Sequence, residues 1–256
     1  MPSNPWVWYE IMADDAEAAK AFYTSVMGWT TSPFPGSEPP YTILEGQGGG
    51  LGGIMGLTPE MKAGGAQPSW MGHVAVDDVD AKAAEVTAAG GRIVHGPIDI
   101  PTVGRFAVAV DRQGASFSIF KSLQDPGENC GLPPPMTPGH IGWRELHTSD
   151  WEDAFDFYSG LFGWKKLDTF DMGPMGQYQI IEINDLAGGG LMNNPIPPRW
   201  VFYTRLADDI DAGAARIVAG GGRILHGPSE VPGGDWTLIA LDPEGATFGL
   251  VAPKKP

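Results

Sequence analysis

Apolar residues recur at helical spacing in two short stretches: Ala19, Phe22, Tyr23 and Val26, then Trp151, Phe155, Tyr158 and Phe162. Each pattern gives one apolar stripe and predicts an amphipathic helix. Polar residues precede both, Asp14…Glu17 and Ser149…Glu152, at the spacing of a capping box. Gly28 and Gly163 follow, where a left-handed residue can end a helix. Around these helices the pattern shortens to strand-like runs broken by Gly and Pro. VWYEIM precedes the first helix, and WTTSPF, YTILEG and LGGIMGL follow it. IGWRELH precedes the second, and WKKLDTF, YQIIEIN and GGLMNN follow.

The same order then returns in each half of the chain. MGHVAV leads into the helical DAKAAEVTAAGG and the strands RIVHG, GRFAVAV and SFSIF. WVFYTRL leads into DAGAARIVAGGG and the strands RILHG, WTLIAL and TFGLV. Asp111-x-x-Gly114 and Asp242-x-x-Gly245 read as hairpin turns between the last two strands. The chain thus contains four strand–helix–three-strand modules.

The modules belong to a long repeat. Trp8-x-Glu10, Asp15, Phe22-Tyr23 and Gly28-Trp29 recur 135 positions later as Trp143-x-Glu145, Asp150, Phe157-Tyr158 and Gly163-Trp164. Gly90-Gly91-Arg92-Ile93 and His95-Gly96-Pro97 return 131 positions later, beginning at Gly221 and His226. A period this long means tandem domains rather than a solenoid. The predicted organisation is residues 1–121 (modules 5–57 and 68–121), a linker at 122–137 with four prolines, and residues 138–256 (modules 139–194 and 198–253). Each half is large enough to bury its own core.

A net charge of −15 disfavours nucleic acid and anionic membranes, which need a basic patch. The first residues lack the basic and apolar regions of a signal peptide, and no apolar run approaches the roughly eighteen residues of a membrane span. A single cysteine, Cys130, forbids an intrachain disulfide and suits a reducing compartment. A cytoplasmic, soluble chain is expected, with its oligomeric state left open.

The opening strand, the acidic helix start, the Phe-Tyr pair, Gly-Trp and the closing Asp-x-x-Gly turn together resemble the vicinal oxygen chelate superfamily. That group contains glyoxalases, bleomycin-resistance proteins and extradiol dioxygenases. The resemblance covers both halves and implies an α+β fold: two tandem domains, each with two βαβββ modules forming a cupped mixed sheet with helices outside. It also implies a cup in which many members hold a divalent metal and chelate two substrate oxygens. The family's ligand positions fall here on Trp8, the LGGIM strand, His73 and Ser118, then on Trp143, the LMNN segment, Tyr203 and Gly249. Of these only His73 is a good ligand, whereas a divalent metal takes about three or four donors. No cofactor is therefore expected. A divalent metal, if held, would fall to His73 with Glu10 or to His147 with Glu145.

Alternation places Glu10 and Glu145 on the same side of their strands as Trp8 and Trp143. A carboxylate beside tryptophan is desolvated and suits acid–base work, so Glu10 and Glu145 are the catalytic candidates. Both could equally tie the strands together. Trp8, His73, Trp143, His147 and Tyr203 are the candidate ligand-binding residues. His95 and His226, each before Gly-Pro, read as turn structure at strand ends. The run Gly46–Gly53 lacks the following helix that a phosphate loop needs and reads as a strand that bends or admits a close approach. Two functions compete on this pattern. One is a metal-free small-molecule binding protein of the glyoxalase/bleomycin-resistance type with aromatic-lined cups. The alternative is a lyase, isomerase or dioxygenase acting on a small oxygenated substrate through Glu10 and Glu145, with or without a metal. An interaction protein with filled cups is a third option.

Overall fold

The computed structural model describes residues 4–47, 49–123 and 136–254. The first half runs β1 (Trp6–Ala13), α1 (Ala16–Met27), β2 (Thr30–Phe34), β3 (Tyr41–Gly46), β4 (Gly49–Gly56) and a short α2 (Pro59–Ala63). It continues with β5 (Ser69–Ala75), α3 (Val79–Ala88), β6 (Arg92–Ile100), β7 (Gly104–Val110) and β8 (Ser116–Ser122). The second half runs β9 (Ile141–Thr148), α4 (Trp151–Phe162), β10 (Lys165–Asp171), β11 (Gln177–Ile183) and β12 (Leu186–Asn193). It closes with β13 (Arg199–Arg205), α5 (Ile210–Ala219), β14 (Arg223–Glu230), β15 (Trp236–Leu241) and β16 (Thr247–Ala252). All four predicted modules are present. α2 and a 3-10 turn at Gly173–Met175 were not foreseen.

Two eight-stranded mixed sheets result, ordered β2-β3-β4-β1-β5-β8-β7-β6 and β10-β11-β12-β9-β13-β16-β15-β14. The α+β expectation holds. Each module pairs its first and last strands in parallel, as in Glu10 with Gly53 and His73 with Ser118, and the rest antiparallel. Most of the linker, with Cys130, lies outside the described residues.

The helix ends correct one expectation. Asp15 and Asp150, one residue beyond the predicted caps, accept backbone N–H groups of the first turn: Glu17 and Ala18, Glu152 and Asp153. No capping box forms, because Asp14 and Ser149 still lie in the approach to the helix. Gly28 (φ 73°) and Gly163 (φ 71°) are left-handed as expected. A second correction concerns His95 and His226. Both are exposed within strands β6 and β14, at register shifts, and not at strand ends. The chain needs no turn there because a bulge absorbs the extra residues.

The chain divides into two compact units. One holds Asn4–Trp8, β5 from Met71, α3, β6–β8, β9 from Arg144, α4 and β10–β12. Its centre is aromatic: Trp6, Phe117, Phe157, Tyr158, Phe162, Trp164 and Trp200 are buried, with Tyr158 stacked on Trp164 at 5.5 Å. The Tyr158 hydroxyl donates to Asp111 Oδ2 (3.1 Å) and accepts from Trp200 Nε1 (3.0 Å). Asp111 Oδ1 accepts from the backbone N–H of Gln113, Gly114 and Ala115, closing its own turn. Gln113 then reaches the start of α4, accepting at Oε1 from Thr148 Oγ1 and the Asp150 N–H.

The other unit holds β1 from Tyr9, α1, β2–β4, α2, β13 from Val201, α5 and β14–β16, and it repeats this chemistry. Tyr23 Oη donates to Asp242 Oδ2 (2.9 Å) and accepts from Trp70 Nε1 (2.8 Å). Asp242 Oδ1 closes the turn through Glu244 and Ala246, and Glu244 accepts from the N–H groups of Asp14 and Asp15. The paired glycines have a packing role as well. A Cβ on Gly91 would stand 3.0 Å from the Phe157 ring, and one on Gly222 would stand 3.1 Å from Phe22. Burial and the neighbouring carboxylate push both tyrosine hydroxyls well above the usual tyrosine range, so they remain protonated donors.

Replacing Tyr23 or Tyr158 by Phe strands a buried carboxylate oxygen and an indole N–H. Each variant should lose about 1–3 kcal/mol of unfolding free energy in denaturant titration. A loss below a few tenths would show that these networks do not hold their units together.

Candidate functional site

The four first-strand neighbourhoods differ chemically. In the unit that starts at Tyr9, Glu10 is buried beside Gly53 of β4. A Cβ on Gly53 would overlap the Tyr41 ring, so the missing side chain makes room for that tyrosine. Tyr41 in turn hydrogen-bonds the Glu10 carboxyl. Burial pushes Glu10 up to about 7, and the bond from Tyr41 only partly offsets this, because losing water disfavours the charged form. Glu10 is thus a carboxylic acid poised between its two forms near neutral pH. The glycine-rich run forms β4 as expected, with a tyrosine ring and the Tyr9 backbone making the close approaches at Gly53 and Gly52.

In the same unit, Trp143 packs half-buried against the cluster of Val201, Tyr203 and Val251. Tyr203 is itself buried, and its ring covers Gly249, the residue in register with it on β16. These two ligand candidates meet, and Tyr203 fills space that a larger residue at 249 would need.

The other unit holds Trp8, His73, Glu145 and His147. Trp8 is half-buried on β1. His73 is 6 % exposed, and its Nε2 has no protein partner. Burial drives its pKa down to about 4, so the ring is neutral at physiological pH. Ser118, in register with His73, donates to the Ala107 carbonyl, and Phe120 meets the imidazole edge-on at 6.3 Å.

Glu145 and His147 do come together. His147 Nε2 lies 2.5 Å from Glu145 Oε1, and His147 Nδ1 lies 2.8 Å from Asn194 Nδ2. Asn194 Oδ1 accepts the Ile196 N–H, which fixes the amide with its nitrogen toward the imidazole. Nδ1 therefore accepts and Nε2–H donates to Glu145, a directed chain from backbone to buried carboxylate. Alternation and register put Met192, beside His147, and Gly190, beside Glu145, on this same face. Tyr178 leans over Gly190 as Tyr41 does over Gly53. At the end of the face lies an open cavity of about 590 Å³ whose lining includes Met192 and Asn194.

Among the described residues no three His, Cys, Asp or Glu side chains converge. Both His147 nitrogens are engaged, and the register partner of His73 is a serine already bonded to backbone. Zinc and similar transition-metal sites typically take three or four protein donors.

Sequence reasoning missed Tyr41, Tyr178 and Asn194. The two tyrosines recur 137 positions apart, each opposite a glycine, so the repeat could have shown them. Asn194 and His147 align with Leu57 and Met12, and their pairing leaves no repeat signal.

The fold and these faces define a tandem glyoxalase-type protein. The family model described as Glyoxalase/Bleomycin resistance protein/Dioxygenase superfamily matches residues 7–129 and again 138–250. The chain belongs to that superfamily. It is 30 % identical over 251 residues to a Mycobacterium tuberculosis protein named "Putative glyoxylase CFP32", covering 96 % of this chain and 94 % of the relative. It is 29 % identical over 265 residues to the "Anthracycline biosynthesis protein DnrV" of Streptomyces peucetius, covering 98 % and 93 %. Among solved structures, the Mn(II)-bound glyoxalase from Novosphingobium aromaticivorans superposes with a TM-score of 0.64 at 20 % identity, over 99 % of this chain and 82 % of that one. The 2,3-dioxygenase LapB from Pseudomonas sp. KL28 gives 0.64 at 11 % identity, over 100 % and 94 %. Those two likenesses speak for the fold, which in one of them holds manganese. Among the described residues no helix is long and apolar enough to cross a membrane.

Glu10 dictates a pH signature. Its folded pKa of about 7 exceeds the ordinary 4.5, so the folded state keeps the proton longer. Stability should fall as pH climbs from about 4.5 to about 7 and then level, by about 3 kcal/mol in all. Glu10→Gln should remove that slope. Tyr41→Phe, lacking the donor, should move the Glu10 midpoint above 7 in a carboxyl 13C NMR titration. A midpoint near 4.5 in the native chain would refute the burial account.

Proposed function

We propose that the protein binds a small, flat, oxygen-bearing organic molecule through its aromatic-lined first-strand faces, without a resident metal. The observation that carries this reading is Glu10, a buried carboxyl near neutrality whose partner is a tyrosine and not a cation. In its protonated form Glu10 donates to a carbonyl or quinone oxygen, and as carboxylate it accepts from a hydroxyl. The unpartnered His73 Nε2 supports ligand contact at a second first-strand position. Trp8, Trp143 and Tyr203 supply the aromatic surface that flat ligands favour. The anthracycline-biosynthesis name of one relative supports an aromatic, polyoxygenated ligand. The same Glu10 observation favours a second reading, an enzyme in which Glu10 moves a proton. A group titrating near the working pH is well matched to that task.

The probe is 1,4-dihydroxyanthraquinone, read by tryptophan fluorescence with chelator-dialysed protein. Saturable quenching is expected, with an affinity that changes as pH passes through about 7 and loses that dependence in Glu10→Gln. Binding that requires added Mn(II), or an unchanged pH profile in the variant, would overturn the proposal. Probe turnover with a Glu10-dependent pH profile would favour the enzyme reading.

A further inference from the structure

The repeat predicts that the two halves share their chemistry, yet one arrangement occurs only in the second. Met12 and Leu57 stand where that half has His147 and Asn194, so the Asn194–His147–Glu145 chain has no counterpart. An open surface depression of about 590 Å³ lies beside it. Asn194 belongs to both. Its Oδ1 and one amide N–H are committed within the protein, and the residue also lines the depression. The remaining wall is uncharged. Pro174 and Met175 come from the turn before β11, Met192 from β12, and Ser149 from the approach to α4. Met175 is 47 % exposed and Met172, three residues earlier, 41 %, an unusual outlay of flexible thioethers on a surface turn.

We propose that this cavity is a second ligand site, for an uncharged, largely apolar molecule that presents a carbonyl or ether oxygen to the Asn194 amide. The chemistry of the lining selects that class. Two methionines and two prolines give apolar walls beside the uncharged polar Ser149, Asn193 and Asn194, and no lining side chain neutralises an ion. A chain carrying −15 repels anions further. Asn194 is the contact residue, and His147 with Glu145 are positioning residues that hold its amide in one orientation. Binding at Asn194 in turn reaches the imidazole through a single hydrogen bond. This site uses neither Glu10 nor Tyr41, so it stands or falls apart from the reading above.

The test uses the full chain labelled uniformly with 15N and with [methyl-13C]methionine, with the Met175 and Met192 signals assigned from Met175→Leu and Met192→Leu spectra. The probe is 2-acetylnaphthalene, a planar neutral ketone, compared with 2-naphthoate, its anionic analogue. The neutral probe should shift both methyl signals saturably and perturb the His147 ring nitrogens in long-range 1H–15N spectra. The anion should do neither. Asn194→Ala should weaken binding at least tenfold. Met175→Ala, in an exposed turn, should weaken it several-fold with an unchanged melting temperature, which keeps the test open if Asn194→Ala misfolds. Methyl signals that stay still, equal binding of the anion, or wild-type affinity in both alanine variants would each overturn the proposal.

Discussion

A buried carboxylate that cannot be left unsatisfied organises this protein. Asp111 and Asp242 each close a hairpin turn with one oxygen and take a tyrosine hydroxyl with the other. That tyrosine belongs to the opening helix of a module in the other half of the sequence, and a tryptophan N–H completes its valence. A buried acceptor without a partner costs more than an ordinary hydrogen bond contributes, so the turn and the helix are obliged to meet. The Phe before each tyrosine packs where the Gly-Gly pair leaves no side chain, and residues 113 and 244 cap the approach to the partner helix. The motifs that the sequence repeats are therefore the parts that interlock. Each compact unit takes one module from each half, while each sheet is drawn from a single half.

This explains what the sequence could and could not reveal. Module order was legible because each helix carries a clear stripe and a glycine stop. The family resemblance was legible because Asp-x-x-Gly and Phe-Tyr keep their spacing. What these motifs touch was not legible, since a hydrogen bond between residues 111 and 158 leaves no periodic trace. The helix caps were misplaced by one residue because Asp14-Asp15 and Ser149-Asp150 offer two polar candidates each, and geometry chose the second. His95 and His226 were misread because a bulge and a turn use the same Gly-Pro vocabulary.

The site was partly legible. The sequence offers Glu10, His73, Glu145 and His147 as candidates, and the structure gives them different states: a near-neutral acid, an unpartnered neutral ring and a bonded pair. None of these states follows from residue type. Burial sets the first, and an asparagine 47 residues further along the chain than His147 sets the last. The two halves keep one framework but differ at these candidate residues: Met12 and Leu57 stand where the second half has His147 and Asn194.

The proposed reading is of ligand faces without a resident metal, and among the described residues no three His, Cys, Asp or Glu side chains converge, whereas a similar structure holds manganese. The most direct measurement is calorimetric titration of chelator-treated protein with Mn(II), followed by elemental analysis after exhaustive desalting. The account predicts weak heats and well under one bound ion per chain. One tightly held ion per domain, lost on replacing His73 or His147, would contradict it.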